Sequence, residues 1–314
     1  MILLRLQENV EAEWVAVFGI GLIGSSIVAA LKARGARLEG RYPISWNEPE
    51  ERAQQLETIE TTLTTTLADA SGRKLQVVWS AGRCGFEASR AEAEEEQSVF
   101  DEVLAVVERV ARCTPSLSTR FLMIGSAGGL FEGQRHVDRR SRPKPHRAYG
   151  RLKLYQEESI QVNGAPWTPE IARLTSVVAP LRDRQRQGLI STLVANGLRR
   201  LPTGIVGRME TLRDFISVDD VAAFLARRIS DGDNSRESAV MTLASFRPAS
   251  LAEVQMLVER VLGRRLFVSY SLDPSNDMDI TFSPDLRPPG WSPRDLLSSV
   301  RDIYRDALAR GAVS

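Results

Sequence analysis

Trp14-Val15-Ala16-Val17-Phe18-Gly19-Ile20-Gly21-Leu22-Ile23-Gly24 reads as a strand, a tight turn and the start of a helix. The first five residues are apolar and β-prone. Ile23 to Leu31, followed by Lys32-Ala33-Arg34-Gly35, has the pattern of a helix closed by a C-terminal glycine. Each glycine has its own task in such a unit: Gly19 allows the sharp turn, Gly21 lets backbone approach a pyrophosphate, and Gly24 lets helix and strand pack closely. The exposed N–H groups around Leu22, Ile23 and Gly24 then meet phosphate oxygens at the positive end of the helix dipole. A glycine-rich turn in an ordinary α/β unit is the alternative, and the strand and helix flanks speak against it.

Outward from this stretch, helical and strand patterns alternate, which predicts a parallel sheet covered on both faces. Arg37 to Trp46 is expected as a second strand and Pro49 to Ala68 as a helix. Leu75 to Gly82 reads as a buried strand ending in small residues, so that Ala81 and Gly82 let a cofactor approach the backbone. The acidic run Glu87 to Glu96 reads as a solvated helix face rather than a metal site. Val99, Val103, Val106, Val107 and Val110 recur at helical spacing, predicting a core or interface helix over 98 to 112. Ser250 is expected to cap a helix from Leu251 to Leu262 whose apolar stripe is core.

A second signal lies halfway along the chain, at Tyr149 and Lys153. Lysine is scarce: of 41 basic residues only positions 32, 74, 144 and 153 are lysines, so a tyrosine with a lysine four residues on is an uncommon coincidence. On a helix the two share a face, and the ammonium favours the phenolate form of its neighbour, which suits Tyr149 to general acid/base work. A compact, flexible ammonium can also serve ribose hydroxyls. A solvated surface pair is the bland alternative, weakened by the glycine signature upstream.

Together with Phe121-Leu122-Met123-Ile124-Gly125-Ser126-Ala127-Gly128-Gly129, Tyr149-Gly150-Arg151-Leu152-Lys153 and Leu212-Arg213-Asp214-Phe215-Ile216-Ser217-Val218-Asp219-Asp220-Val221-Ala222, these stretches resemble the extended short-chain dehydrogenase/reductases. The likeness is to their NAD(P)-dependent epimerase/dehydratase group acting on nucleotide sugars, and Pro289-Gly290-Trp291-Ser292-Pro293 ahead of a final helix fits it too. The resemblance implies a catalytic hydroxyl at Ser126, substrate contacts at Ser176 and Arg213, and a homodimer formed through the 98 to 112 and Tyr149 helices. Arg182 belongs to an arginine-dense stretch, 181 to 212, that suits a diphosphate-bearing substrate. The basic loop Arg135 to Arg147 is equally compatible with phosphate binding and with plain exposure.

The chain also departs from that pattern. The acidic residue expected about 20 positions after the glycines, which would bind a ribose hydroxyl, is missing, and Arg41, Tyr42, Trp46 and Asn47 occupy that neighbourhood. Arg41 would suit the 2′-phosphate of NADP, so NAD and NADP both remain open. Ser126-Ala127-Gly128 replaces the Thr-Asp-Glu of the 4,6-dehydratases, which removes the acid and base of water elimination. Phe131-Glu132 stands where Tyr-Gly is usual, and Ser176 where an asparagine often contacts the sugar nucleotide.

Composition sets the outer bounds. With 314 residues, 43% of them hydrophobic, and a net charge of +1, the chain can bury a large core and shows no bias toward nucleic acid or membrane. Cys84 and Cys113 lack metal-ligand or redox spacing, and Met1 to Glu13 is unlike a secretory signal, so a cytoplasmic protein without a metal is expected. The expected fold is α/β: a Rossmann-type doubly wound parallel sheet over 1–175, with 211–235 returning to it, and a smaller C-terminal substrate-binding α/β region over 176–314. The expected activity is an NAD(P)-dependent epimerase working through a 4-keto sugar nucleotide, within polysaccharide biosynthesis. An NADPH-dependent ketoreductase and a non-catalytic dinucleotide sensor or scaffold are the alternatives.

Overall fold

Two short strands, β1 (Ile2–Arg5) and β2 (Trp14–Phe18), pair antiparallel at the start of the computed structural model, with Ile2 opposite Val17 and Arg5 opposite Trp14. The structure describes residues 1–6, 14–68, 74–181, 188–231, 239–271 and 276–311. Contacts divide the chain into two units, the first of Met1–Leu130, Pro145–Arg173 and Ala222–Met241, the second of Phe131–Lys144, Leu174–Val221 and Thr242–Ser314.

The first unit is built on a seven-stranded, mostly parallel sheet of Rossmann type. From β2 the chain passes through α1 (Leu22–Ala33), β3 (Arg37–Arg41), α2 (Pro49–Leu67), β4 (Lys74–Trp79), α3 (Arg90–Cys113) and β5 (Ser118–Ser126). A short α4 (Ala127–Leu130), then α5 (Ala148–Ile160) and β6 (Thr168–Leu174) follow, and Ala239–Leu243 supplies the last strand. The order across the sheet is Ala239–Leu243, β6, β5, β4, β2, β1, β3. β2 runs parallel to β4, and β4 to β5. All five residues of β2 are buried, as a strand covered on both faces requires.

Helices α2 and α3 bury Leu56, Ile59, Leu63, Val103, Val106 and Val107 with Phe18, Trp79, Phe100 and Phe121 of the first core. Trp79 and Phe100 meet edge to face at 5.1 Å, and each large apolar side chain buried here contributes roughly 1.5–3 kcal/mol. Arg52 of α2, itself buried, grips Glu102 of α3 through Nε and Nη2 at 2.6 and 2.9 Å.

Two expectations change here. The strand predicted over 37 to 46 ends at Arg41, and it does not lie beside β2. It pairs instead with β1, which runs antiparallel between the two, because Ile2, Leu3 and Leu4 offer the sheet an apolar strand while Arg37–Arg41 is mostly exposed and fits only an edge. The helix predicted from 98 begins eight residues earlier, at Arg90. Ser89 accepts from the Glu92 N–H while the Glu92 carboxylate accepts from the Ser89 N–H, so the acidic run is the helix's own first turns.

In the second unit, helices Leu189–Arg199, Leu251–Leu262 and Leu296–Ala309 enclose a separate core with Leu193, Val194, Val254, Val258, Val300 and Ile303 at its centre. The cap at Ser250 forms as predicted, with Glu253 completing a reciprocal pair. Asp214 is the polar node of this unit. Burial pushes its carboxyl up, while the Ser245 and Phe246 N–H groups and the Thr175 and Ser245 hydroxyls all donate to it.

Candidate active site

Two of the three glycines after β2 leave no room for a side chain. Gly19 has φ of +86°, and a Cβ there would lie 2.3 Å from the Ala81 backbone. A Cβ on Gly24 would lie 1.9 Å from the Gly19 carbonyl oxygen, whereas one on Gly21 would meet nothing within 4 Å. The first and third glycines therefore bring turn, helix and β4 together, and Gly21 faces open space. Ser80, just past β4, ties the turn down by donating its hydroxyl to the Phe18 and Gly19 carbonyls at 3.1 and 2.7 Å. Helix α1 starts with no side-chain cap and no acidic residue in its first turn, which leaves its N-terminal N–H groups for an anion.

These elements open on a cleft of about 610 Å³. Gly19, Ile20 and Gly21 form one wall, Ser80 to Arg83 another, and Met1, Ile2 and the segment Arg41 to Ile44, with Trp46, close the end. Of the predicted cofactor residues, Gly19, Gly21, Arg41, Ala81 and Gly82 line it. Leu22, Ile23 and Gly24 occupy the first turn of α1 behind them.

Ser126, Tyr149 and Lys153 come together in the same unit. Ser126 is the last residue of β5, buried, and its Oγ accepts from the Gly129 N–H at 3.0 Å. Tyr149 sits in the first turn of α5, and α5 can approach α4 because residue 150 is glycine: a Cβ there would lie 2.2 Å from the Gly129 carbonyl oxygen. A Cβ on Gly129 would lie 3.0 Å from Tyr149 Cε1 and 3.3 Å from Ser126 Oγ, so phenol ring and hydroxyl flank one backbone segment. One helical turn on, Lys153 Nζ is 5.8 Å from the Tyr149 ring centre. Phe86, in the loop after β4, packs against the phenol with ring centres 5.7 Å apart and carries the Arg147 guanidinium 5.3 Å over its own ring.

Lys153 is 5% exposed, and its surroundings hold a residue that the sequence did not single out. Glu96 of α3, expected on a solvated face, is 7% exposed and stands 3.4 Å from Lys153 Nζ, which also donates to Gln156 Oε1 at 2.9 Å. The Glu96 carboxylate accepts in addition from the Arg83 and Cys84 N–H groups at 2.7 and 2.8 Å. Burial opposes its charge, yet the Lys153 ammonium and these N–H groups prevail and hold the carboxyl below its usual range. A signal was available, since Glu96 shares the helical phase of Val99, Val103 and Val110. The same burial, with Glu96 alongside, pushes the Cys84 thiol up to about 12.

The predicted substrate residues lie in the second unit. Ser176 is exposed on the short strand Ser176–Val178. Arg213 spends its guanidinium on main-chain carbonyls, with Nη1 donating to Leu212 and Met278 and Nη2 to Asn276. Arg182 lies outside the described residues. In the basic loop, Arg135 pairs with Asp279 at 2.5 Å and Arg139 donates to the Asp285 carbonyl. Those arginines serve the fold of the loop.

Among the described residues there is no cluster of potential metal ligands and no helix long and apolar enough to cross a membrane.

Several solved structures share the fold of this chain. A UDP-glucose 4-epimerase from Thermus thermophilus in complex with NAD superposes with a TM-score of 0.73 at 18% identity, covering 93% of this chain and 98% of that one. A UDP-glucuronic acid 4-epimerase from Bacillus cereus gives 0.71 at 18% identity, with 95% and 99% covered. RMD from Pseudomonas aeruginosa, complexed with NADPH, gives 0.69 at 17% identity, with 94% and 99% covered. No curated protein matches the sequence itself. The model of the NAD dependent epimerase/dehydratase family matches residues 15–244, from β2 through the Tyr149 helix to the last strand of the sheet, and the chain belongs to that family.

Proposed function

We propose that this protein is an NAD(P)-dependent epimerase acting on a nucleotide-activated sugar through a transient 4-keto form. The observation that carries the reading is the convergence of Ser126, Tyr149 and Lys153 in the unit that also holds the dinucleotide cleft. Nucleotide-sugar substrates are suggested by the epimerases it resembles in fold.

The nicotinamide, when bound, supplies a hydride acceptor and donor. Tyr149, as phenolate, takes the proton from a sugar hydroxyl and returns it after the sugar has turned over. Ser126 donates a hydrogen bond to the oxygen that becomes the carbonyl. Lys153 offers its ammonium to ribose hydroxyls, exchanging its contact with Gln156 for them. Water elimination is not supported: Ala127, Gly128, Gly129 and Leu130 follow Ser126 where two carboxyl groups would be needed.

A second reading, reduction of a 4-keto sugar nucleotide by NADPH drawn from solution, uses the same three residues. It is favoured by one observation, the lack of any carboxylate among the described residues lining the cleft. In either reading the second unit carries the substrate region, and a second copy of the chain docks through α3 and α5.

The deciding experiment incubates the protein with UDP-, GDP- and dTDP-sugars and follows the products by NMR, with Tyr149→Phe in parallel. Interconversion of epimers that Tyr149→Phe slows by roughly 10²–10⁴-fold, with dinucleotide binding kept, is the expected result. A fully active Tyr149→Phe overturns the assignment, and tight dinucleotide binding without turnover on any sugar moves the protein to a sensor or scaffold.

A further inference from the structure

In a dinucleotide-binding sheet, the strand beside the glycine-turn strand ordinarily ends in an acidic residue that accepts from the adenosine ribose hydroxyls. Here β1 occupies that place and runs the other way. The residues level with the end of β2 on this neighbouring strand are Met1 and Ile2, both apolar and buried. β3, which follows α1 as the acid-bearing strand would, is displaced by one strand. Two strand spacings of about 4.8 Å put its end roughly 10 Å from β2. A short aspartate on β3 could not span that gap, whereas a long arginine can.

Arg41 is the last residue of β3, exposed, and lines the cleft. Among the described residues no carboxylate pairs with its guanidinium. Arg83 lines the wall beyond β4, is exposed too, and its guanidinium donates to the neutral side-chain oxygen of Asn47. Among the described residues that line it, the cleft thus presents two guanidinium groups and no carboxylate. That charge pattern repels nothing in a phosphomonoester and leaves a free ribose diol without its usual acceptor.

We propose that the adenosine end of this cleft selects NADP(H) over NAD(H), with Arg41 and Arg83 binding the ribose 2′-phosphate. The proposal rests on the dinucleotide reading of the cleft given above, and deepens it. Arg41 reaches in from the displaced strand and Arg83 from the β4 end. The antiparallel β1 makes the selection structural, because it removes the backbone position from which an acid would hold the diol.

Titration calorimetry on the purified protein with NADP⁺ and with NAD⁺, at low and at high salt, tests this, with Arg41→Ala and Arg83→Ala alongside and circular dichroism to verify the fold. We expect NADP⁺ to bind at least roughly tenfold more tightly than NAD⁺, and each variant to lose about that factor for NADP⁺ while NAD⁺ binding hardly moves. The preference should shrink with salt. 2′,5′-ADP should compete more strongly than 5′-ADP, and Arg41→Lys should recover part of the loss. Equal or tighter NAD⁺ binding overturns the selection while leaving the enzyme assignment standing. An unchanged NADP⁺ preference in both variants overturns the role of the two arginines. No binding of either dinucleotide overturns this inference and the dinucleotide reading together.

Discussion

Lys153 holds its place because Glu96 and Gln156 hold its ammonium, and Glu96 in turn is held by two main-chain N–H groups. Replacing the carboxylate leaves a buried cation without its counter-charge, a change that costs about 3–5 kcal/mol in comparable buried pairs. Glu96→Gln should therefore lower the melting temperature and reduce turnover more than dinucleotide affinity, measured by calorimetry and steady-state kinetics. The sign with pH follows from the lowered carboxyl. Its contribution is complete above the ordinary carboxylate range and is lost as pH falls through the depressed value, so the wild type should lose more stability than the Gln variant on acidification below about pH 4.5. The cysteines give a second check on this pocket. Cys113 is exposed while the Cys84 thiol is pushed up to about 12, so iodoacetamide at pH 8 should label Cys113 and spare Cys84, and Glu96→Gln should speed labelling of Cys84 by mass spectrometry. Of these residues, Tyr149 and Lys153 were legible from their spacing. Glu96 was hidden in an acidic run because charge composition alone does not say which face of a helix is buried.

At the scale of elements, β1 is the piece that sets this sheet apart. Leu3 and Leu4 are essentially inaccessible to solvent, and the strand pairs on both sides, with β2 and with β3. Leu4→Ala should cost about 2–5 kcal/mol, seen as a lower denaturant midpoint, and should loosen β3 as well, since among the described residues β3 has no other neighbour in the sheet. Hydrogen exchange at Arg37–Arg41 that is faster in that variant than in the wild type, with β5 unchanged, would show the coupling; unchanged protection of Arg37–Arg41 would refute it. The cap of α3 is a milder case, and Ser89→Ala should cost about 1 kcal/mol. Both helix caps and the helix and strand of the glycine unit follow local rules that act within a few residues. The insertion of β1 obeys no local rule, because pairing partners far apart in sequence compete for one place in the sheet.

Across the whole molecule, a dinucleotide that binds the folded cleft stabilises the protein by mass action, by about 2.7 kcal/mol at one hundred times its Kd. A thermal-shift series should show that gain at lower concentration with NADP⁺ than with NAD⁺ if the two arginines select as proposed. The Rossmann class, the glycine turn, the Tyr149–Lys153 pair and the family likeness are legible from the residues alone, because periodicity, glycine spacing and i, i+4 geometry are short-range constraints written in neighbouring residues. It took the folded chain to show that β1 separates β2 from β3, that Arg41 and Arg83 line a cleft whose described lining residues include no carboxylate, that Arg213 donates to main-chain carbonyls, and that Glu96 is the counter-charge of Lys153. Those outcomes depend on which distant segments bury their apolar surface against one another, and a residue's partner across the fold is set by that packing rather than by its neighbours in the chain.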